Sequence, residues 1–222
     1  MTQESESIGE AGLRFFGKMS ASISHEIKNV LAIINEIGGL LEDLALMAGR
    51  GRPVAPERLE TVGTKLQQQV QRADRIVKTM NAFSHSVDEK SQAVDLNDVV
   101  ALVIALAGRF AAMRGLSLVP GARGEAVAVT TAPFHLMHLV WLCLSHGMDA
   151  AGESRTVTVT ATKSRTGGEI RFAPLQGLAE TSAEAFPGAA GQALLAALGA
   201  EIVSAPAELV LVVPAGRGAP PL

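Results

Sequence analysis

A heptad pattern of apolar residues, interrupted once by turn residues, constrains the fold of this chain more than any other feature. Residues 13–47 contain no proline, and apolar side chains recur there in alternating steps of four and three: Ile23, Ile27, Val30, Ile34, Ile37, Leu41 and Leu44. This spacing places them along one side of a helix. The glycines and proline of residues 49–53 predict the end of that helix.

A second helix is predicted directly after this turn. Pro56 and Glu57 suit the first turn of a helix. The heptad pattern then resumes through Leu59, Val62, Leu66, Gln69, Ala73, Ile76, Met80, Phe83 and Val87. A hairpin over residues 13–90 cannot cover both apolar sides, so the pattern predicts a dimer whose two hairpins form a four-helix bundle. Residues 1–12 are expected to be a flexible N-terminus.

The second half of the chain has the pattern of a mixed domain. Helices are predicted near residues 95–115, 133–150 and 191–198, and short apolar strands near residues 116–119, 127–130, 156–162, 170–172, 202–204 and 209–213. Gly167 and Gly168 are interpreted as a hairpin turn. This order predicts an α+β sandwich over residues 95–215, with helices on one face of a sheet. Residues 216–222 are expected to be a frayed tail.

Composition excludes several classes of protein. The 222 residues are 48% hydrophobic with a net charge of −3, which gives no electrostatic reason to expect nucleic acid or an acidic membrane as partner. The single cysteine, Cys143, rules out an internal disulfide and a zinc site of paired cysteines. No signal peptide is apparent, and the apolar run at residues 99–108 is shorter than a bilayer span. A soluble, cytoplasmic protein is expected.

His25 is the strongest candidate for chemistry. With Ile23 and Ile27 on the apolar side, His25 lies on the exposed side of the first helix, and Asn29 lies one turn further along the same side. Glu26 is the next residue in sequence. A neutral imidazole is nucleophilic near pH 7, and a neighbouring carboxylate can orient the ring and hold its proton.

The sequence around His25 resembles a known motif. Residues 24–34, SHEIKNVLAII, resemble the H-box of sensor histidine kinases, with Val30 in place of the usual proline. Residues 72–84 resemble the end of the second helix of the dimerisation and phosphotransfer domain of these kinases, and residues 95–100 resemble the entry to their ATP-binding domain. The resemblance implies that His25 is the phosphoacceptor, Glu26 its acid/base partner, and Asn29 a position used in dephosphorylation.

The nucleotide motifs of the same family are missing. The resemblance implies an asparagine-rich helix, an aspartate turn and a glycine-rich lid. Here His146, near Asp149, replaces the magnesium-binding asparagine, Ala173 and the residues after it replace the aspartate turn, and residues 188–191 are a weak remnant of the lid. These departures predict a degenerate ATPase-like domain that binds no nucleotide and no metal cofactor.

This combination resembles ChpT-like dimeric histidine phosphotransferases, which carry phosphoryl groups between receiver-domain aspartates. The resemblance implies that response-regulator receiver domains are the partners, with a hybrid histidine kinase as a further candidate. Mg²⁺ is expected on the receiver and not on this chain.

Three functions stay open from the sequence: a histidine phosphotransferase in a two-component phosphorelay, a divergent sensor kinase with autokinase activity, and a catalytically silent scaffold that binds a regulator or kinase. A metal site is a minor alternative, because His135, His138 and His146 share one predicted helix. The simpler interpretation of these histidines is polar drift in a disused nucleotide pocket.

Overall fold

The computed structural model describes residues 3–178 and 186–216, which form two compact units. One unit is residues 20–81. The other combines residues 3–19 with residues 82–178 and 186–216. A long helix, α1 (Gln3–Gly49), contributes residues to both units. Met1, Thr2 and residues 217–222 of the predicted flexible ends lie outside the described residues, as do residues 179–185.

The predicted helical hairpin is confirmed. Helix α1 is followed by α2 (Pro56–His85), and the turn between them includes Gly51, whose φ of +73° suits a residue without Cβ. Helix α1 begins at Gln3, well before residue 13. The sequence prediction began this helix at Leu13 and took residues 1–12 as a flexible terminus, whereas Gly12 is buried against the ring of Phe134.

The hairpin core uses only part of the predicted apolar pattern. Ile37, Leu44 and Val62 are buried, and Ile33, Leu40, Val54 and Leu66 pack against them. On α1 every second member of the pattern is buried, as at Val30, whereas Ile27 and Ile34 are half-exposed and Leu41 is 37% exposed. One side of the hairpin therefore presents apolar side chains that the hairpin itself does not cover.

The second unit contains a sheet and its covering helices. In chain order its elements are β1 (Gln92–Asp95), α3 (Leu96–Met113), β2 (Ser117–Pro120), β3 (Ala128–Thr131), α4 (Pro133–Asp149), β4 (Thr156–Lys163), β5 (Gly167–Ala173), α5 (Gly188–Leu198), β6 (Glu201–Ala205) and β7 (Glu208–Pro214). A short 3₁₀ helix, Gly152–Ser154, follows α4.

The strands form a five-stranded sheet in the order β2-β4-β5-β7-β6, with a separate antiparallel pair, β1 and β3. Only β2 and β4 are parallel; the other neighbours are antiparallel. Burial alternates along β4 and β5, so that Val157, Val159, Ile170 and Phe172 point to the covered face. The predicted α+β domain with helices on one sheet face is confirmed.

The two glycines at the start of β5 have a different role from the predicted one. Gly167 and Gly168 are the first residues of β5, and the turn precedes them, closed by the Ser164 N–H donating to the Gly167 carbonyl at 3.0 Å. A Cβ on Gly168 would lie 2.5 Å from the Leu96 side chain. Gly168 is thus required for the close packing of α3 on this strand.

Asp95 connects the start of α3 to Val127, the residue before β3. Its carboxylate caps α3 by accepting from the Asn97 N–H at 3.0 Å, and it accepts from the Val127 N–H at the same distance. Burial raises the pKa of Asp95, but these hydrogen bonds and Arg123 outweigh burial and hold the pKa below its ordinary value. Strand β1, which the sequence analysis did not predict, ends at this residue.

Helix α3 is long and apolar enough by length and composition to cross a membrane, with a mean hydropathy of 1.7. Its apolar residues serve the core of the sheet unit, where Leu96, Val103, Leu106 and Ala107 are buried. The core helix of a globular domain passes the same compositional test.

An aromatic cluster connects three distant segments of this unit. The ring of Phe15 lies 5.5 Å from Phe83 and 5.6 Å from Phe134, and it stacks on the His138 imidazole at 4.6 Å with an interplanar angle of 4°. Lys18 extends the contact, with Nζ 4.9 Å from the Trp141 ring centre. The start of α1 is therefore part of the core of the sheet unit.

His138 makes the stability of this unit depend on pH. Its side chain is 4% exposed, and burial, together with nearby His135, lowers its pKa from 6.5 to about 4. The unfolded chain therefore takes up a proton below about pH 6.5 that the folded chain resists. The free energy of unfolding should fall by about 1.4 kcal/mol per pH unit between about 6.5 and 4.

Urea unfolding at pH 7 and pH 5 measures this effect. The wild-type protein should lose about 2 kcal/mol more between the two pH values than His138→Leu, which has no group that titrates there. An equal loss in both proteins would contradict a buried neutral histidine at this position.

Candidate functional site

His25 is exposed on α1, and Asn29 is its hydrogen-bond partner. The Asn29 Nδ2 amide nitrogen lies 3.2 Å from the ring Nδ1, one helical turn away. Residues four apart face each other on a helix, so the contact follows from the spacing in the sequence. It leaves Nε2 as the ring nitrogen that is available to another molecule.

The Asn29 contact can select the reactive form of the ring. A neutral imidazole carries one proton, on Nδ1 or on Nε2, and only the unprotonated nitrogen is a nucleophile. In the structure the Asn29 Nδ2 donates to Nδ1, which places the ring proton on Nε2. With the amide turned by 180°, its oxygen accepts from the Nδ1 N–H and the Nε2 lone pair is free for attack. Asn29 is the side chain that contacts the ring, and the acid/base role expected of Glu26 stays a prediction.

Glu26 is instead paired with α2. The Arg72 Nη2 atom donates to the Glu26 Oε2 atom at 2.7 Å, and the two side chains are 41% and 29% exposed. Consecutive residues of a helix point about 100° apart, so Glu26 turns toward the second helix when His25 points to solvent. Within residues 20–81, this is the one ion pair between α1 and α2.

Arg72 was missed as a site residue by the sequence analysis. It was quoted only as the first residue of a resemblance in the second helix, and it lies 46 positions from its partner. No local pattern links two such residues. Folding the hairpin in the register set by its apolar core would have revealed the pair.

The side chains around His25 lie opposite the uncovered apolar side of the hairpin. At about 100° per residue, Ile34 lies on the opposite side of α1 from His25, and Leu31 lies roughly 120° around the helix from it. On α2, Val70 and Val77 are 53% and 43% exposed, and Leu31 on α1 is 56% exposed. We call Ile27, Leu31, Ile34, Leu41, Leu59, Val70 and Val77 the apolar band. The polar site and the apolar band thus occupy different sides of the hairpin.

The residues that replace the nucleotide motifs lie together near the end of α4. His146 is half-buried and stacks on Phe186, with 4.1 Å between ring centres. Burial lowers its pKa, partly offset by Asp149. Asp149 itself is exposed and accepts from the Arg114 Nε atom at 3.2 Å, so its carboxylate is engaged in an ion pair.

The segment after β5 packs an apolar side chain against α4. Ala173 follows buried Phe172, so the alternation of β5 turns it away from the helices. Leu175 is fully buried, and a Cβ on Gly147 of α4 would meet its side chain at 3.3 Å. Leu175 thus occupies space beside the helix that the resemblance assigns to nucleotide binding.

A cavity adjoins these residues. Its described lining includes His146, Gln176, Phe186, Gln192 and Glu201, and it contains no aspartate, lysine or arginine among the residues that the structure describes. A bound triphosphate needs cationic groups or a metal with oxygen ligands.

Of the three histidines of α4, His135 and His138 lie near each other, and His146 has other neighbours. His138 stacks on Phe15, and His146 stacks on Phe186. In residues 3–178 and 186–216, no group of three or more His, Cys, Asp or Glu is placed to hold a metal ion. Cys143 is fully buried, and burial raises the pKa of its thiol.

Comparison with known proteins finds similar solved structures. The chain matches no family model and no curated protein. Similar structures include the ATP-binding domain of PrrB from Mycobacterium tuberculosis, at 21% identity and a TM-score of 0.47, covering 58% of this chain and 100% of that one.

Two further structures match a larger part of the chain. The histidine kinase AdeS of Acinetobacter baumannii is 12% identical, with a TM-score of 0.44, covering 87% of this chain and 98% of that one. A bacterial phosphotransferase is 15% identical, with a TM-score of 0.43, covering 90% and 95%.

The region around His146 and Leu175 should not bind adenine nucleotides tightly. Calorimetric titration with ATP and Mg²⁺ should show no dissociation constant in the low micromolar range. His146→Asn should not restore binding either, because Leu175 still fills the space beside α4 and no aspartate follows β5. Low micromolar binding by the wild-type chain would contradict the degenerate interpretation.

Proposed function

We propose that this chain is a histidine phosphotransferase of a two-component phosphorelay, which carries a phosphoryl group on His25 between aspartates of receiver domains. The observation that carries the proposal is the arrangement at His25, where Asn29 binds Nδ1 and the exposed ring leaves Nε2 open to a partner. The described lining of the cavity at His146 has no aspartate, lysine or arginine, which favours this function over autophosphorylation from ATP.

The transfer follows from the ring geometry. The Nε2 lone pair attacks the phosphorus of the receiver's aspartyl phosphate, an N–P bond forms, and the P–O bond to the aspartate breaks. The bonding electrons leave on the receiver's carboxylate. The step uses the orientation in which the Asn29 amide is turned so that its oxygen faces the ring; the ring proton stays on Nδ1 and is donated in a hydrogen bond to that oxygen. The reverse sequence delivers the phosphoryl group to a second receiver. Mg²⁺ belongs in this proposal to the receiver's carboxylates.

His25→Ala tests the function directly. Incubated with a phosphorylated receiver domain and Mg²⁺, the wild-type chain should gain an acid-labile, base-stable phosphoryl group, and His25→Ala should gain none. The variant should keep its fold, because His25 is exposed and its one hydrogen bond is to an exposed neighbour. Phosphorylation of His25→Ala would contradict the assignment.

Labelled ATP separates the competing functions in the same assay. Transfer from a receiver without labelling by ATP supports the phosphotransferase. Rapid labelling by ATP alone would indicate an autokinase, and binding of the receiver without any transfer would indicate a scaffold. His85→Ala is the matched control, since His85 is also exposed but bonds to Asp88.

We further propose that the apolar band is covered by a second copy of the chain, forming a four-helix bundle. The exposed residues of the band follow heptad steps on both helices, as knobs-into-holes packing between copies requires. His25 lies on the other side of the hairpin, so dimerisation leaves it accessible.

Val70→Glu tests the dimer. Val70 is 53% exposed, so a carboxylate there should not disturb the hairpin, but it would be buried without a partner in the bundle. Light scattering should give twice the chain mass for the wild type and the single-chain mass for Val70→Glu. Gln68→Glu, which adds a charge two positions away on another side of α2, should remain dimeric. A monomeric wild type at micromolar concentration would contradict the bundle.

A further inference from the structure

Arg72 has charge and hydrogen-bonding capacity that its ion pair does not use. A guanidinium carries five N–H donors, and one of them binds Glu26. The side chain is 41% exposed, and no second hydrogen-bond acceptor contacts it in the described residues. Several donors of a fixed, permanently charged group are therefore open to solvent.

Helix geometry places Arg72 on the same side of the hairpin as His25. Arg72 lies ten residues after the buried Val62, roughly 80° around α2 from the side that faces α1. The ion pair fixes its level along the hairpin, because its partner Glu26 is the residue next to His25. The apolar band lies on the other side. Arg72 is thus a cationic group that its ion pair with Glu26 holds on the same side of the hairpin as the histidine.

We propose that Arg72 binds the phosphoryl group transferred at His25, and that Glu26 holds the guanidinium in place for this purpose. The inference rests on the proposed function. Phosphoryl oxygens are anionic, and a guanidinium binds two of them through parallel N–H donors. As the N–P bond forms and the P–O bond to the aspartate breaks, the nonbridging oxygens keep their charge, which Arg72 stabilises without exchanging a proton.

This role differs from that of a structural ion pair. A structural pair would affect only the stability of the hairpin, and an exposed pair of this kind contributes little to stability. A phosphoryl ligand would also affect the reactivity of His25 and the ionisation of the bound phosphoryl group. These two quantities distinguish the roles.

The test uses potassium phosphoramidate, a small donor that phosphorylates histidine without a receiver. The full chain is treated with it, and phosphorylation of His25 is followed by mass spectrometry of the peptide that contains it. Arg72→Gln should phosphorylate about tenfold more slowly than the wild type, since a charged hydrogen bond to the donor is lost. Arg72→Lys should fall between them, because it keeps the charge but not the paired donors.

Arg58→Gln is the matched control. It makes the same charge change on α2, fourteen residues away from Arg72 and roughly 21 Å along the helix, and it should react like the wild type. The ³¹P signal of the phosphorylated chain gives the second measurement. Its midpoint of titration should be higher in Arg72→Gln than in the wild type, because the guanidinium favours the more highly charged phosphoryl form.

Wild-type rates and an unchanged ³¹P midpoint in a folded Arg72→Gln chain would overturn the proposal. If that variant fails to fold, Glu26→Gln is compared with the double variant Glu26→Gln/Arg72→Gln, in which no unpaired charge is left. Equal rates in this pair would overturn the proposal as well. Because phosphoramidate replaces the receiver, a failure of Arg72 here is distinct from a failure of transfer between receivers.

Discussion

Packing of apolar side chains between α1 and α2 determines the rotation of both helices, and the chemistry of the chain depends on that rotation. Once Val30, Ile37 and Leu44 are buried against α2, His25 must point to solvent and Glu26 must point toward the second helix. The directions of both polar side chains are thus set by the apolar packing and not by their own contacts. A change that rotated α1 by one residue would turn His25 toward α2 and turn Glu26 away from it.

The same packing accounts for what could be predicted from the sequence. The hairpin, the helix-covered sheet and the exposure of His25 were predictable because apolar periodicity is a local property. The contact between His25 and Asn29 was predictable from their spacing of four. The ion pair of Glu26 with Arg72 was not, because its two residues lie 46 positions apart and only the register of the folded hairpin brings them together.

Other features depended on packing between distant elements. Nothing in the sequence distinguishes Leu175 from other loop residues, yet it is fully buried beside Gly147 of α4. The sequence predicts Gly168 to be a turn residue, but its small size is needed where Leu96 packs onto β5. In each case the sequence gives the residue type but does not show which distant residue it packs against. The proposed degeneracy of the second domain therefore rests on two features, the polar groups missing from its sequence and the apolar side chain buried beside α4.

The aromatic cluster has a consequence for dividing the chain into fragments. Phe15 and Phe83 come from the two ends of the helical hairpin sequence, but they pack on Phe134 and His138 of α4. A fragment that begins at residue 95 would carry the whole five-stranded sheet and would still leave the imidazole of His138 and the ring of Phe134 without their partners Phe15 and Phe83. The boundary that the strands and helices suggest is therefore not the boundary at which the core is complete. Cutting the chain between α2 and α3 would therefore divide this aromatic core and expose the rings that remain on α4.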